Sequence, residues 1–197
     1  KENYSKIKLN SCIRKKRIKF PIVVKPINEG SSLGVRICKN IQQLHKSTGI
    51  LFRKYIDLVF EPYIGGQEIQ VAVINDISLG AIELKPKRQF YDYKAKYSKA
   101  ARTNHIMPAN LKKNKYKEVL LIAKKAHKAL GCKGVTRSDF KYYKNKFYLL
   151  EINTQPGMTN LSLVPEIANF AGITFKNLVV KILHNASLNR WKNPISG

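Results

Sequence analysis

The strongest constraint on the fold lies between Arg137 and Thr159. There Arg137-Ser138-Asp139-Phe140 is followed by Leu149-Leu150-Glu151-Ile152-Asn153 and then Thr154-Gln155-Pro156-Gly157-Met158-Thr159. An arginine and an acid stand two residues apart, and a second acid and an asparagine repeat the spacing. Side chains alternate along a strand, so Arg137 shares a face with Asp139, and Glu151 shares one with Asn153. The intervening stretch 141–146, Lys-Tyr-Tyr-Lys-Asn-Lys, reads as a tight polar connection between two antiparallel strands. In such a hairpin the oxygens of Asp139, Glu151 and Asn153 converge on one patch with the Arg137 guanidinium. Hard oxygens of this kind suit Mg²⁺, which binds through a few side-chain oxygens plus the phosphates of a nucleotide. The bland alternative is a pair of amphipathic strands whose polar face is merely wet. The Pro156-Gly157 turn directly after the second strand argues against it, because such a turn can present backbone N–H groups to an anion.

Composition bounds the possibilities. At 197 residues the chain can bury a core in one large or two small domains. No apolar run approaches the roughly 18 residues needed to span a bilayer. Cys12, Cys38 and Cys132 are few and widely spaced, which fits a reduced, cytoplasmic protein better than a disulfide framework. Cys132, just past a predicted helix end, reads as a small core residue. The formal net charge of +25 is the main competing signal, since such a balance favours nucleic acids or acidic surfaces. Arg14-Lys15-Lys16-Arg17 with Lys19 forms a basic patch of that sort, but the other lysines are spread along the chain among Asn, Ile and Tyr. That spread reads as compositional drift of the surface. No zinc-finger spacing, helix-turn-helix signature or aromatic RNA-binding strand pattern accompanies it, so no specific nucleic-acid partner is expected.

Periodicity predicts a two-lobed α/β (α+β) arrangement. Residues 1–19 are polar and basic without clear periodicity, and read as a linker, a frayed end or the stump of a longer element. Residues 20–26 form a short apolar strand ended by proline, 28–34 a flexible loop, and 35–38 an extended segment. Asn40 caps a helix to Lys46, 57–61 is a strand, and 68–74 with 78–84 form a hairpin. Residues 85–110 are rich in loops. A helical stripe runs from Leu111 to Leu130 and stops at Gly131, and Thr174 caps a last helix toward His184. Residues 185–197 read as a tail. His105, His127 and His184 fall in loop or helix-surface contexts and receive no role.

Read together, several blocks resemble a known family. EINTQPGMT at 151–159, with GVTRSDF at 134–140, is similar to the carboxyl-terminal half of the D-alanine–D-alanine ligases, members of the ATP-grasp superfamily. FPIVVKPINEGSSLGV at 20–35, EPYIGGQEIQVAV at 61–73, YDYKAKY at 91–97 and NLSLVPEIANFAGITFKNLV at 160–179 agree in order and spacing. The resemblance covers residues 20 to about 184 and implies an ATP-grasp fold with two lobes of antiparallel sheet and helices. Residues 1–60 would be part of the central lobe and 61–197 the carboxyl-terminal catalytic lobe.

What it implies for the site can be stated residue by residue. Lys25, placed before the loop Gly30-Ser31-Ser32-Leu33-Gly34, would meet ATP phosphates as a point charge, with the backbone around Ser32 folding over them. Glu61 would accept from the adenine amine, Tyr63 and Ile64 would offer backbone groups, and Glu68 would bind the ribose hydroxyls. Lys96 would contact the transferring phosphate, and Tyr97 would close over the site with Ser31. A tyrosine at this position is associated with D-alanyl-D-alanine as product rather than a D-lactate ester. Lys94 departs from the family, which usually carries an acid there. Arg137 and the Gly157 N–H would form an oxyanion hole, while Asp139, Glu151 and Asn153 would hold two Mg²⁺ ions, with Mn²⁺ as a substitute. Ser162 and the Leu163 backbone resemble the residues that bind the carboxylate of the second D-alanine.

The implied reaction, a step of peptidoglycan precursor synthesis, phosphorylates the carboxylate of one D-alanine and lets the amine of a second attack the acyl phosphate. The family also carries an amino-terminal domain that supplies residues holding the first D-alanine and through which it largely dimerises, and a second phosphate-contacting lysine upstream of the strand at 20–26. Neither can be placed in this sequence, which weakens the expectation of a homodimer. The chain is therefore expected to be a fragment, a processed product or the remnant of a split gene. On its own it should bind nucleotide with little or no ligation, and an intact partner chain could restore activity. The alternative is a basic nucleotide- or nucleic-acid-binding protein that keeps the fold without catalysis.

Overall fold

The computed structural model describes residues 5–30, 32–85, 103–159 and 161–186. They fall into two compact units that divide at Gly65 and Gly66, and residues from His105 onward belong to the second. Among the described residues there are eight strands and five helices.

In the first unit, α1 (Lys6–Lys15) and α2 (Ile41–Leu51) accompany a sheet of order β2-β1-β3, built from β1 (Ile22–Pro26), β2 (Arg36–Cys38) and β3 (Leu58–Pro62). Both strand pairings are antiparallel. Leu9, Ile13, Ile22, Val24, Cys38, Leu44 and Leu51 form the core of this unit. Alternation along β1 sends Ile22 and Val24 into that core and leaves Val23 and Lys25 on the other face. Helix α1 occupies part of the stretch that shows no clear periodicity. Leu9 and Ile13, one turn apart, are buried, and the Ser5 hydroxyl caps the helix by accepting from Lys8 N at 3.0 Å. Asn40 caps α2 as expected, accepting from Gln43 N at 2.9 Å, but the helix runs on to Leu51.

The second unit contains a five-stranded sheet of order β6-β5-β4-β7-β8. Its strands are β4 (Gln67–Ile74), β5 (Ile77–Lys85), β6 (Asn104–Ile106), β7 (Val135–Tyr143) and β8 (Lys146–Asn153). The β4–β5, β4–β7 and β7–β8 pairings are antiparallel. Two hairpins turn on residue pairs with positive φ, Asn75 and Asp76 at 49° and 62°, and Lys144 and Asn145 at 47° and 64°. That is the backbone of a two-residue type I′ connection, which asparagine and aspartate tolerate. The polar connection predicted over 141–146 is therefore shorter than expected. Lys141, Tyr142 and Tyr143 continue β7, and only Lys144 and Asn145 turn.

Helix α3 (Lys113–Ala129) packs Val119 and Ala123 against Ile69, Val71, Val73, Ala81 and Phe140 on one face of the sheet. It ends where Gly131, at φ 61°, donates to the Lys128 carbonyl at 2.9 Å. Helix α4 (Leu163–Phe170) lies over β5 and β4 on the opposite face, where a Cβ on Gly80 would stand 3.3 Å from Ile167 Cγ2. Helix α5 (Phe175–Asn185) packs on α4, with Leu178 buried and Thr174 capping by accepting from Asn177 N at 3.3 Å. Sequence periodicity misses α4 because Pro165 looks like a breaker. Its position in the first helical turn needs no N–H donor.

Two expectations change. His127 is buried, 1% exposed, rather than on the helix surface. It continues the stripe of Val119 and Ala123 at four-residue spacing and bonds Thr136 Oγ1 through Nδ1 at 2.8 Å. Cys132 is half-buried at the helix exit rather than a core residue. No helix among the described residues is long and apolar enough to cross a membrane.

Candidate active site

The two antiparallel strands β7 and β8 place the sequence quartet in register. Arg137 is the Cα partner of Asn153, and Asp139 is the partner of Glu151. Directly opposed residues point to the same face, so all four side chains share one side of the sheet. On β4 the corresponding partners are Glu68 for Lys141, Gln70 for Asp139 and Ala72 for Arg137. This face is the one opposite α3.

A bulge makes the arrangement possible. Strict alternation along β8 would put Phe147 and Leu149 on the same face as Glu151 and Asn153. The register instead shifts between Asp139 and Phe140, and Leu150 becomes the extra residue. Phe147 then turns to the α3 face, where its ring lies 4.5 Å from Tyr142 and 6.2 Å from Phe140. Glu151 and Asn153 keep the polar face. Re-aiming a side chain in this way is a common use of bulges near functional sites.

Within the quartet, Arg137 grips Asp139 by a fork. Nε donates to Oδ1 at 2.7 Å and an Nη donates to Oδ2 at 2.9 Å. Asp139 is 7% exposed, so the guanidinium meets a carboxylate largely shielded from water. The Asn153 amide oxygen accepts from Gln155 N at 3.0 Å, which ties the end of β8 to the Pro156-Gly157 turn. Glu151 is exposed. Asp139, Glu151 and Asn153 together offer hard oxygens only, the donor set that a small divalent cation with phosphate co-ligands prefers. No cluster of three His, Cys, Asp or Glu stands ready to hold a metal by itself among the described residues.

The turn after β8 brings Gly157 and Ser162 together. A Cβ at Gly157 would stand 2.8 Å from Ser162 Oγ, so a side chain there would push the serine hydroxyl out of its present position. Ser162 Oγ accepts from Thr159 N at 3.0 Å and lies 2.9 Å from Thr159 Oγ1. Ser162 is also the N-cap position of α4, although its side chain makes no cap bond. The first-turn N–H of Leu163 therefore belongs to a helix N-terminus, a place suited to a carboxylate. The Leu163 side chain itself is buried.

Glu68, at the start of β4, pairs with Lys141 Nζ at 3.0 Å. Gly66 immediately precedes the strand; its φ is +87° and its added Cβ would fall 2.2 Å from the Tyr142 carbonyl oxygen. Only glycine lets β4 enter the sheet beside β7 at this level.

The first unit carries its own group of expected nucleotide contacts. Lys25 Nζ lies 2.8 Å from Glu61 Oε1. Because Val23 is the Cα partner of Glu61, Lys25 and Glu61 are diagonal neighbours on the face away from the helices. Tyr63 N already donates to the Pro21 carbonyl at 2.9 Å, which leaves its own carbonyl to offer. Ile64 follows in the segment after β3. Ser32 adopts φ 61° in a loop closed by bonds from Leu33 N to Gly30 O and from Val35 N to Ser32 O. Ser31, Lys94, Lys96 and Tyr97 lie outside the described residues.

Comparison with known proteins gives this geometry a family. The family described as "D-ala D-ala ligase C-terminus" matches residues 2–184. A D-alanine–D-alanine ligase of Pelagibacter ubique is 56% identical over 191 residues, covering 96% of this chain and 62% of that protein. One from Citrifermentans bemidjiense is 48% identical and covers 86% of this chain and 55% of that protein. The chain thus spans less than two thirds of the length of these curated relatives. Among solved structures, a Bacillus anthracis D-alanine–D-alanine ligase in complex with ATP superposes with a TM-score of 0.73 at 31% identity, over 87% of this chain and 55% of that one. The VanG D-Ala:D-Ser ligase of Enterococcus faecalis gives 0.78 at 26% identity, over 92% of this chain and 54% of that one. The fold is ATP-grasp. The chain belongs to the D-alanine–D-alanine ligase family and corresponds to its carboxyl-terminal part.

Proposed function

We propose that this chain is the ATP-binding and catalytic portion of a ligase that joins two D-alanines through an acyl phosphate, a cytoplasmic step in making peptidoglycan precursors. The observation that carries the reading is the register of β7 and β8, which sets Arg137 against Asn153 and Asp139 against Glu151 on one face. In this reading Asp139, Glu151 and Asn153 hold Mg²⁺, whose contribution is to neutralise charge on the reacting phosphates. Lys25 supplies a point charge to the phosphates, Glu61 and the Tyr63–Ile64 backbone receive the adenine, and Glu68 the ribose. Lys96 and Tyr97, with Ser31, are assigned to closing over the transferred phosphate. Arg137 and the Gly157 N–H stabilise oxyanion charge, and preorganised donors of this sort are each worth about 10²–10³ in rate. Ser162 and the Leu163 N–H bind the carboxylate of the amino acid that supplies the amine.

Ligand binding must rearrange the existing pairs. Arg137 and Asp139 neutralise each other, as do Lys25 and Glu61. A bound nucleotide with its cation offers phosphate charge to Arg137 and Lys25, the cation to Asp139, and the neutral adenine amine as a donor to Glu61. The net charge of +25 supports the competing reading of a basic binding protein. Thermal denaturation separates the two. ATP with Mg²⁺ should raise the melting temperature, while inorganic triphosphate, GTP or ATP without metal should do much less. Ligand at about 100 times its dissociation constant adds roughly 2.7 kcal/mol. Glu151→Gln should abolish the Mg²⁺-dependent part. An equal response to every polyanion, unaffected by that substitution, would reject the ligase reading.

A further inference from the structure

Gln70 lies in the middle of the central strand β4, 1% exposed, and its side-chain oxygen is buried with no hydrogen-bond partner. Its Cα partners are Ile82 on β5 and Asp139 on β7. Asp139 in turn is partnered by Glu151 on β8. Gln70, Asp139 and Glu151 therefore form one row across three adjacent strands on the same face. Adjacent strands lie about 4.8 Å apart, within reach of a glutamine side chain. Other polar atoms are also buried without partners, but those of Ser138 and Glu83 belong to the α3 face, opposite Val71 and Ile69. Burying an amide oxygen without a donor costs stability, and an apolar residue of the same size would avoid that cost. The position instead keeps a hard oxygen beside the carboxylate row.

We infer that Gln70 is a further oxygen donor to the divalent cation at Asp139 and Glu151, reaching it directly or through one coordinated water. The inference rests on the nucleotide-and-cation reading of this face. Small divalent cations commonly retain waters, and groups that hold those waters tune affinity as ligands do. Gln70 would then be a positioning residue for the cation, with its oxygen satisfied only in the loaded state.

The test is the Mg²⁺ concentration that gives half of the ATP-induced rise in melting temperature, measured at saturating ATP on the full chain. Gln70→Met keeps the volume and removes the oxygen. It should raise that concentration about 10–100-fold while leaving the ligand-free melting temperature unchanged or higher. Gln70→Glu restores an oxygen at the same place and should hold the wild-type requirement or lower it. An unchanged Mg²⁺ requirement in Gln70→Met overturns the role of Gln70 and leaves the reading of the face intact. Should Gln70→Met fail to fold, a higher Mg²⁺ requirement in Gln70→Glu would overturn it. A wild-type chain with no Mg²⁺-dependent response to ATP would remove the reading and this inference together.

Discussion

Arg137 and Asp139 are joined by two parallel hydrogen bonds, 2.7 and 2.9 Å long, across a single intervening residue of β7. The fork satisfies a carboxylate that the sheet largely shields from water, and it also holds the guanidinium over the polar face. Removing Arg137 takes both of these donors away from the buried Asp139 carboxylate. Arg137→Ala should therefore lower stability by about 1–3 kcal/mol, the cost of an unsatisfied buried charged group after partial solvent access is allowed for. Arg137→Lys should keep a charge yet lose the fork, because an ammonium cannot donate in parallel to both oxygens. Urea denaturation of the two variants checks the order: alanine below lysine, lysine below wild type. Equal stability of all three would mean that the fork is only a surface pair.

Lys25 and Glu61 make the contrasting case. Their 2.8 Å pair is partly open to solvent, with side chains 28% and 36% exposed. Exposed pairs of this kind contribute about 0–1 kcal/mol. Lys25→Met should thus change the melting temperature by no more than about 2–4 °C while sharply reducing the response to ATP. A large loss of ligand-free stability with an intact ATP response would show that Lys25 serves the fold instead.

His127 predicts a pH dependence. Burial among the α3 contacts pushes its pKa below the ordinary value, against the weaker opposing pull of Asp76, whose Oδ1 lies 3.7 Å from Nε2. The folded state therefore resists protonation that the unfolded chain accepts at pH of about 6.5. Stability contributed by neutral His127 is fully present above that value and is lost as the pH falls toward the lowered folded pKa. For one such group the slope is at most about 1.4 kcal/mol per pH unit. Comparing melting curves of wild type and His127→Gln from pH 8 to 5 tests the assignment. The variant should show the shallower decline, and parallel declines would place the titration elsewhere.

Which of these features the sequence discloses follows from how local they are. The arginine, two acids and asparagine on β7 and β8 are visible because two-residue spacing in a strand is enough to share a face. The bulge at Leu150 is not visible, although the Leu149-Leu150 pair breaks the alternation, because only cross-strand register decides which residue is extra. Gln70 is hidden for the same reason: it is a single polar residue in an apolar run until β7 places Asp139 opposite it. His127 is misread because helical spacing marks its position as internal while its side chain suggests the surface. Helix α1 escapes because two buried apolar residues one turn apart, Leu9 and Ile13, are too short a pattern to read as a helical stripe in a basic segment. The resemblance only proposes Lys25, Glu61 and Glu68 for nucleotide contact, and the pairing of Lys25 with Glu61 and of Glu68 with Lys141 emerges only from strand neighbours.

Gly66 offers the last test, since it couples backbone geometry to the position of Glu68 and Gln70. Its φ of +87° disfavours any side chain, and its Cβ would meet the Tyr142 carbonyl oxygen at 2.2 Å. Gly172 has a similar φ of +78° but nothing within 4 Å of its would-be Cβ. Gly172→Ala should therefore show backbone strain alone, about 1–2 kcal/mol. Gly66→Ala adds a clash with main chain that cannot rotate away, so β4 must shift against β7. Its loss of stability should exceed that of Gly172→Ala, and it should weaken Mg²⁺-dependent ATP stabilisation, which Gly172→Ala should leave intact. Equal effects of the two alanines on both measurements would mean that the junction at Gly66 yields without disturbing the register on which the polar face depends.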